Sequence, residues 1–238
     1  MLKTLETPLP HRVKLYNASN FFDVRAVPED DLTRLPELLQ GFRGVTVESH
    51  ASTIGSRSIA FARQLAGRLE VAMGLETIHP LAAAQLNKKL DLARFDSAAR
   101  LLIDHGMDLR VFVLLGAPFV PAAESVDWTV RTVEYAVERG AAVVSIIPVR
   151  GGNGEMERLE SLGAFTRPTL TQLETALDRC ISMRPSVVTA DLWDAALLPG
   201  CSECKVDRID RLAKMNASGC VEPPVACASC LSSREDAL

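Results

Sequence analysis

The chain has 238 residues, 47% hydrophobic and 24% charged, with a net charge of -4. That composition excludes a disordered or fibrous chain, and the acidic balance argues against broad binding to a nucleic-acid backbone while leaving room for a local basic patch. No apolar run reaches the roughly 18 residues of a membrane span, and the N-terminal residues lack the apolar core of a secretory signal, so the expected location is the cytoplasm.

In chain order, residues 13–17 (VKLYN), 45–49 (VTVES), 69–77 (LEVAMGLET), 109–116 (LRVFVLLG) and 143–149 (VVSIIPV) are apolar and rich in branched side chains, and read as buried strands. Between them, apolar residues recur at helical spacing: Ile59, Ala62 and Ala66; Phe95, Ala98, Ala99 and Leu102; Val126, Val130, Val133 and Val137. Gly106 and Gly140 stand where left-handed helix caps are expected, each shortly before a strand. A helix carrying Leu170, Leu173, Leu177 and Ile181 precedes a further strand at 187–193. Strand, helix and strand in this rhythm imply right-handed parallel crossovers. The one compositional break is at Pro199-Gly200, which predicts a main domain over 1–199 and a cysteine-rich tail over 200–238.

Polar or small residues follow each of the first five strands: Asn17, Ser19 and Asn20 the first, Glu48 and His50 the second, Glu76 and Thr77 the third, Gly116 the fourth, Arg150 and Asn153 the fifth. Parallel barrels build their sites at that rim, whereas a doubly wound sheet uses one switch-point crevice. Five successive units delivering such residues favour a barrel. At any single position the ordinary reading is a helix cap, because capping residues follow strands in every α/β fold.

These same segments carry a resemblance. KLYNASNFFD (14–23), VAMGLET (71–77), FVLLGAPF (112–119) and SIIPVRGGNG (145–154) resemble the second, fourth, fifth and sixth strand-loop motifs of the radical S-adenosylmethionine (SAM) superfamily. The similarity is to the branch with the elongator-catalytic-subunit type of radical domain, which includes the radical subunit of archaeosine synthase and its bacterial relatives. It implies a six-unit (β/α) barrel, SAM and a 4Fe-4S cluster as cofactors, and hydrogen abstraction by a 5'-deoxyadenosyl radical. It further implies that Ser19 and Asn20 lie near the amino-acid end of SAM with Asn17 facing that region, Glu76 or Thr77 near its ribose, and the Gly116 and Val149 backbones near adenine. Glu48, His50, Arg150 and Asn153 are then the candidates for substrate contact, and a modified base in tRNA is the substrate that the archaeosine branch implies.

One motif departs from the family. The superfamily holds its cluster with C-x3-C-x2-C on the loop after the first barrel strand, and no such triplet occurs in these residues. The expected fold is therefore a partial parallel (β/α)6 barrel without its first unit. Two readings stay open: Met1 is an internal start of a longer protein, which is preferred because a sheet without its first strand leaves an open edge, or the chain is a barrel remnant without radical chemistry. The second makes it a non-catalytic zinc-binding adaptor for RNA or a partner protein.

Each candidate has an ordinary reading beside the functional one. Glu48 and His50 are two apart, so an extended segment turns them to one side as a proton-transfer pair requires, yet a cap is the commoner use. Glu76 suits sugar hydroxyls or an ion pair with Lys88 or Arg110. Gly151–Gly154 (GGNG) lets a backbone approach a ligand, with Arg150 as an anion partner. Met73, Phe112 and Cys180 read as core.

Cys201-x2-Cys204 and Cys227-x2-Cys230, with Cys220 between them, point to metal ligation, since paired thiolates on tight turns complete a tetrahedral site. Zinc and an auxiliary 4Fe-4S cluster both take four thiolates. Between the knuckles, Lys205, Arg208, Arg211 and Lys214 recur every three residues, interleaved with Asp207 and Asp210. The expectation there is a solvated, ion-paired helical face.

Overall fold

The computed structural model describes residues 11–16, 20–86, 91–183 and 186–230. Asn17, Ser19 and Lys88, singled out above, lie outside the described residues. Six strands form one sheet: β1 (Arg12–Leu15), β2 (Gly44–Glu48), β3 (Arg68–Glu76), β4 (Asp108–Leu115), β5 (Val143–Pro148) and β6 (Val187–Ala190), in the order β1 to β6. Every strand therefore neighbours its predecessor in sequence, which is barrel order and has no switch point. The register pairs Arg12 with Gly44, Gly44 with Arg68, and Val143 with Val187, all parallel. The fold is the partial parallel barrel expected, with four cysteines grouped near the C-terminus.

The chain divides into two compact units. The first comprises Met1–Leu75, Leu90–Val111 and Glu138–Ala142, and includes helices α1 (Glu29–Leu38), α2 (Ser56–Gln64) and α4 (Leu92–Asp104). Its α4 starts where Asp91 accepts a hydrogen bond from the Ala93 N–H at 3.0 Å, and buries Phe95, Ala98, Ala99 and Leu102, the stripe read from the sequence. The Phe21, Phe22 and Phe61 rings pack at centroid distances of 5.2, 5.4 and 6.0 Å, two of the three contacts near edge-to-face, a geometry that the ring quadrupoles favour. Glu70, buried in the sheet, receives Arg110 at 2.9 Å and the Thr46 hydroxyl at 2.9 Å, with Arg12 at 3.5 Å. A carboxylate at that depth is tolerable only with such partners.

The second unit comprises Glu76–Lys89, Phe112–Val137 and Val143–Leu238, and includes α3 (Pro80–Gln85), nearly all of α5 (Ser125–Glu138), α6 (Glu155–Ser161), α7 (Leu170–Cys180) and α8 (Lys205–Ser218). A reciprocal cap opens α7: the Thr169 hydroxyl accepts from the Gln172 N–H at 3.2 Å, and the Thr169 N–H donates to Gln172 Oε1 at 2.9 Å. Cys180 is buried at the far end of α7, as expected of a core residue. The Asn216 side chain joins α8 to β6, accepting from the Ala190 N–H and donating to the Ala190 carbonyl, both at 2.8 Å.

Two expectations change. The solvated face read over 205–214 fails at Arg208 and Arg211, which are 9% and 5% exposed. Arg208 donates to Glu174, and Arg211 to Asp178 at 2.8 Å, both acids standing on α7. Two guanidiniums three apart on α8 thus meet two carboxylates four apart on α7, and burial of the interface forces the pairing. The tail hydropathy hid this because the acids lie 34 and 33 residues upstream. The helices α1, α3 and α6 were also not foreseen, being short or, in α1, rich in acids and interrupted by Pro36. Among the described residues, no helix is long and apolar enough to cross a membrane.

Candidate functional site

In the first unit the carboxyl end of β2 runs into a knot of polar side chains around Asn20. Asn20 Oδ1 accepts from the Thr53 hydroxyl at 2.7 Å, from the His50 backbone N–H at 3.1 Å and from the Ser49 hydroxyl. Ser49 Oγ in turn accepts from the Phe22 N–H at 3.2 Å, and the Phe21 N–H donates to the Glu48 carbonyl at 2.9 Å. The segment 20–22 is thereby pinned to the end of β2. His50 turns its ring onto Ser52, with Nδ1 2.8 Å from the hydroxyl, and caps the short turn at Ala51–Thr53. The ordinary reading of His50 is therefore met, and Glu48 is half-buried beside it in sequence. Ser49 and Thr53 were not anticipated; their signal was the hydroxyl spacing SHAST after an apolar strand.

In the second unit Glu76 ends β3 with φ of +62° and is buried. A side-chain-bearing residue in that region costs on the order of 1–3 kcal/mol, a strain that clusters at functional positions. The next residue, Thr77, is also buried and its hydroxyl accepts from the His79 N–H at 3.1 Å, while the Ile78 N–H donates to the Thr132 hydroxyl at 3.2 Å. His79 caps α3 by accepting from the Ala82 N–H at 3.1 Å and meets Trp128 edge-on at 4.6 Å. Arg110, one of the two ion partners weighed for Glu76, donates to Glu70 at 2.9 Å.

Gly116, after β4, has φ of +74°, and a Cβ there would stand 2.9 Å from Pro168 Cδ. Conformation and space both demand glycine, and its N–H donates to the buried Ser125 hydroxyl at 2.9 Å. The Val149 N–H donates to the Leu115 carbonyl at 2.9 Å, so the two expected backbone positions lie on adjacent strand ends. Arg150 carries two carboxylate partners, Asp191 at 2.5 Å and Asp194 at 3.3 Å. Asn153 Oδ1 accepts from the Met156 N–H at 3.0 Å, and Glu157 closes the glycine loop by accepting from the Gly152 and Gly154 N–H groups.

The thiol groups of Cys201, Cys204, Cys227 and Cys230 lie within 4.8 Å of one another. Cys201 faces Cys227 at 4.0 Å and Cys204 faces Cys230 at 3.6 Å. Cys220 is outside this set: it follows the helix-ending Gly219, is exposed, and donates its N–H to the Ser218 hydroxyl at 3.2 Å. The backbone N–H of Cys230 pulls the Cys227 thiol down to about 7, whereas burial pushes Cys204 up. A cavity of about 930 Å³ opens beside the thiols, with Glu174, Asp178, Arg208 and Arg211 in its wall. The donor set fits a metal ion. The radical cluster is a different matter: these four thiols do not form C-x3-C-x2-C, Cys180 is buried in α7 and Cys220 stands apart, so the residues of this chain do not fit it.

No protein-family model and no curated protein sequence matches the chain. Solved structures do. Elp3 from the archaeon Methanocaldococcus infernus, with an N-terminal deletion, aligns at a TM-score of 0.64 and 13% identity, covering 86% of this chain and 54% of Elp3. Coproporphyrinogen III oxidase from Escherichia coli, a radical SAM enzyme, aligns at 0.51 and 13%, covering 72% of this chain and 40% of the oxidase. The chain thus spans about half the length of these structures. With six parallel strands in barrel order, it has the fold of the radical SAM enzymes.

Proposed function

We propose that the chain is the barrel portion of a radical SAM enzyme, with the thiolates of its radical cluster supplied from outside these 238 residues. The observation that carries this reading is the strained, buried Glu76 at a strand end in a fold shared with radical SAM enzymes. In this reading Ser19 and Asn20 receive the amino-acid end of SAM with Asn17 facing that region, Glu76 or Thr77 its ribose, and the Gly116 and Val149 backbones its adenine. Glu48, His50, Arg150 and Asn153 contact the substrate. A tRNA base is the substrate class that the archaeosine resemblance supports, which is an argument by analogy of fold and motif. When bound, the cofactors supply the hydrogen-abstracting radical, and the barrel orients and shields it.

The coding DNA upstream of Met1 tests the reading directly. An in-frame extension carrying C-x3-C-x2-C is the expected result, and an in-frame stop close by, with no partner chain supplying such a motif, overturns it. The missing motif favours one alternative, a zinc-binding adaptor in which the barrel binds RNA or a partner protein without catalysis. In that case SAM would leave the melting temperature of the complete protein unchanged.

A further inference from the structure

Four thiols can hold either one ion or a cubane cluster, and the two demand different spacings. A tetrahedral ion with sulfur at about 2.3 Å places its sulfurs about 3.8 Å apart, the edge of that tetrahedron. In a 4Fe-4S cluster each thiolate stands beyond an iron at a corner of the cube, so the sulfurs sit about 6 Å apart. Here the facing pairs measure 4.0 Å and 3.6 Å, and every thiol lies within 4.8 Å of every other. The spacing is also too wide for two disulfides, whose sulfurs touch at about 2 Å.

We propose that Cys201, Cys204, Cys227 and Cys230 form a closed site for a single zinc ion, and that the cavity beside it does not house an auxiliary iron-sulfur cluster. Zinc is favoured over a single ferrous ion because it binds a given donor set more tightly in the divalent series and imposes no geometry of its own. Four protein thiolates leave no coordination position open, so the ion is structural. Its neighbours suit that role. Zinc with four thiolates carries a net charge of about -2, and Arg208, which lines the same cavity as Cys201, Cys204 and Cys230, brings positive charge to that side of the cage. Arg208 is itself held by Thr171 at 2.8 Å and by Glu174. Arg211 donates to the Glu222 and Pro223 carbonyls at 3.0 Å each, fixing the segment that delivers the second knuckle. The ion therefore links the start of α8, through Cys204, to the strand of chain that α8 already grips. Cys220 plays no part in it.

The site stands or falls independently of the radical reading, since a zinc knuckle is compatible with either an enzyme or an adaptor. The full chain, purified anaerobically, should be colourless and contain one zinc per molecule by mass spectrometry of metals. Reconstitution with iron and sulfide should leave the thiolate site without acid-labile sulfide. Cobalt replacing zinc in the unaltered protein should show the intense visible bands of a tetrahedral thiolate site, which keeps the proposal testable if variants fail to fold. Cys201→Ser and Cys227→Ser should each lower zinc content at least several-fold, whereas Cys220→Ser and Cys180→Ser should retain it. About four irons with equal sulfide in this site, one iron in place of zinc, or zinc loss in Cys220→Ser would overturn the assignment.

Discussion

Glu76 is held in a backbone conformation that a single substitution can test. Its φ of +62° is easy for glycine and strained for any residue with a Cβ. Glu76→Gly and Glu76→Ala both delete the carboxylate, so the difference between them isolates the backbone. The glycine variant should be more stable than the alanine variant by about 1 kcal/mol in urea unfolding. Equal stabilities would show that the backbone relaxes and stores nothing there. The cysteines divide as cleanly. Burial pushes the Cys180 thiol up to about 12, Cys220 is exposed, and the remaining four face one another. Thiolate is the reactive form, so at neutral pH the zinc-loaded protein should show one fast thiol toward an alkylating reagent, Cys220. The denatured, chelated chain should show six. A fast second thiol in the folded protein would place one of the four outside the cage.

Helices α8 and α7 are joined by buried ion pairs. The Arg208 and Glu174 side chains are 10% and 13% exposed, so deleting one leaves a charge without its counterpart in a poorly solvated place. Glu174→Leu should cost about 3 kcal/mol in thermal or urea unfolding, and the double variant Arg208→Met with Glu174→Leu should recover most of that loss. An additive double variant would mean the pair carries no coupling. Among the elements, the strands were legible and their beginnings were not. The first four were read one residue late because each opens on a polar residue or glycine, namely Arg12, Gly44, Arg68 and Asp108, which hydropathy does not mark. Those openings are nonetheless paired backbone, with Arg12 beside Gly44 and Gly44 beside Arg68. The metal knuckles were legible from C-x2-C spacing alone, whereas the choice between one ion and a cluster needed sulfur positions. The Asn20 knot escaped notice because its partners Ser49 and Thr53 lie 29 and 33 positions away.

For the whole molecule, metal and stability should move together. Thiols must shed protons to bind zinc, so acid favours the empty site. Zinc affinity, measured by competition with a chromogenic chelator, should fall steeply below neutral pH, and the melting temperature should fall with it. A melting temperature indifferent to chelation would detach the cage from the fold. A last consequence comes from Asn216, whose single amide satisfies both main-chain groups that Ala190 turns away from β5. It acts as a counterfeit strand one residue long, so the outer border of the sheet offers an approaching molecule nothing to zip onto at that point. Asn216→Leu should unmask those two groups and let chains recruit one another, visible as light scattering that grows with concentration while the parent protein stays clear.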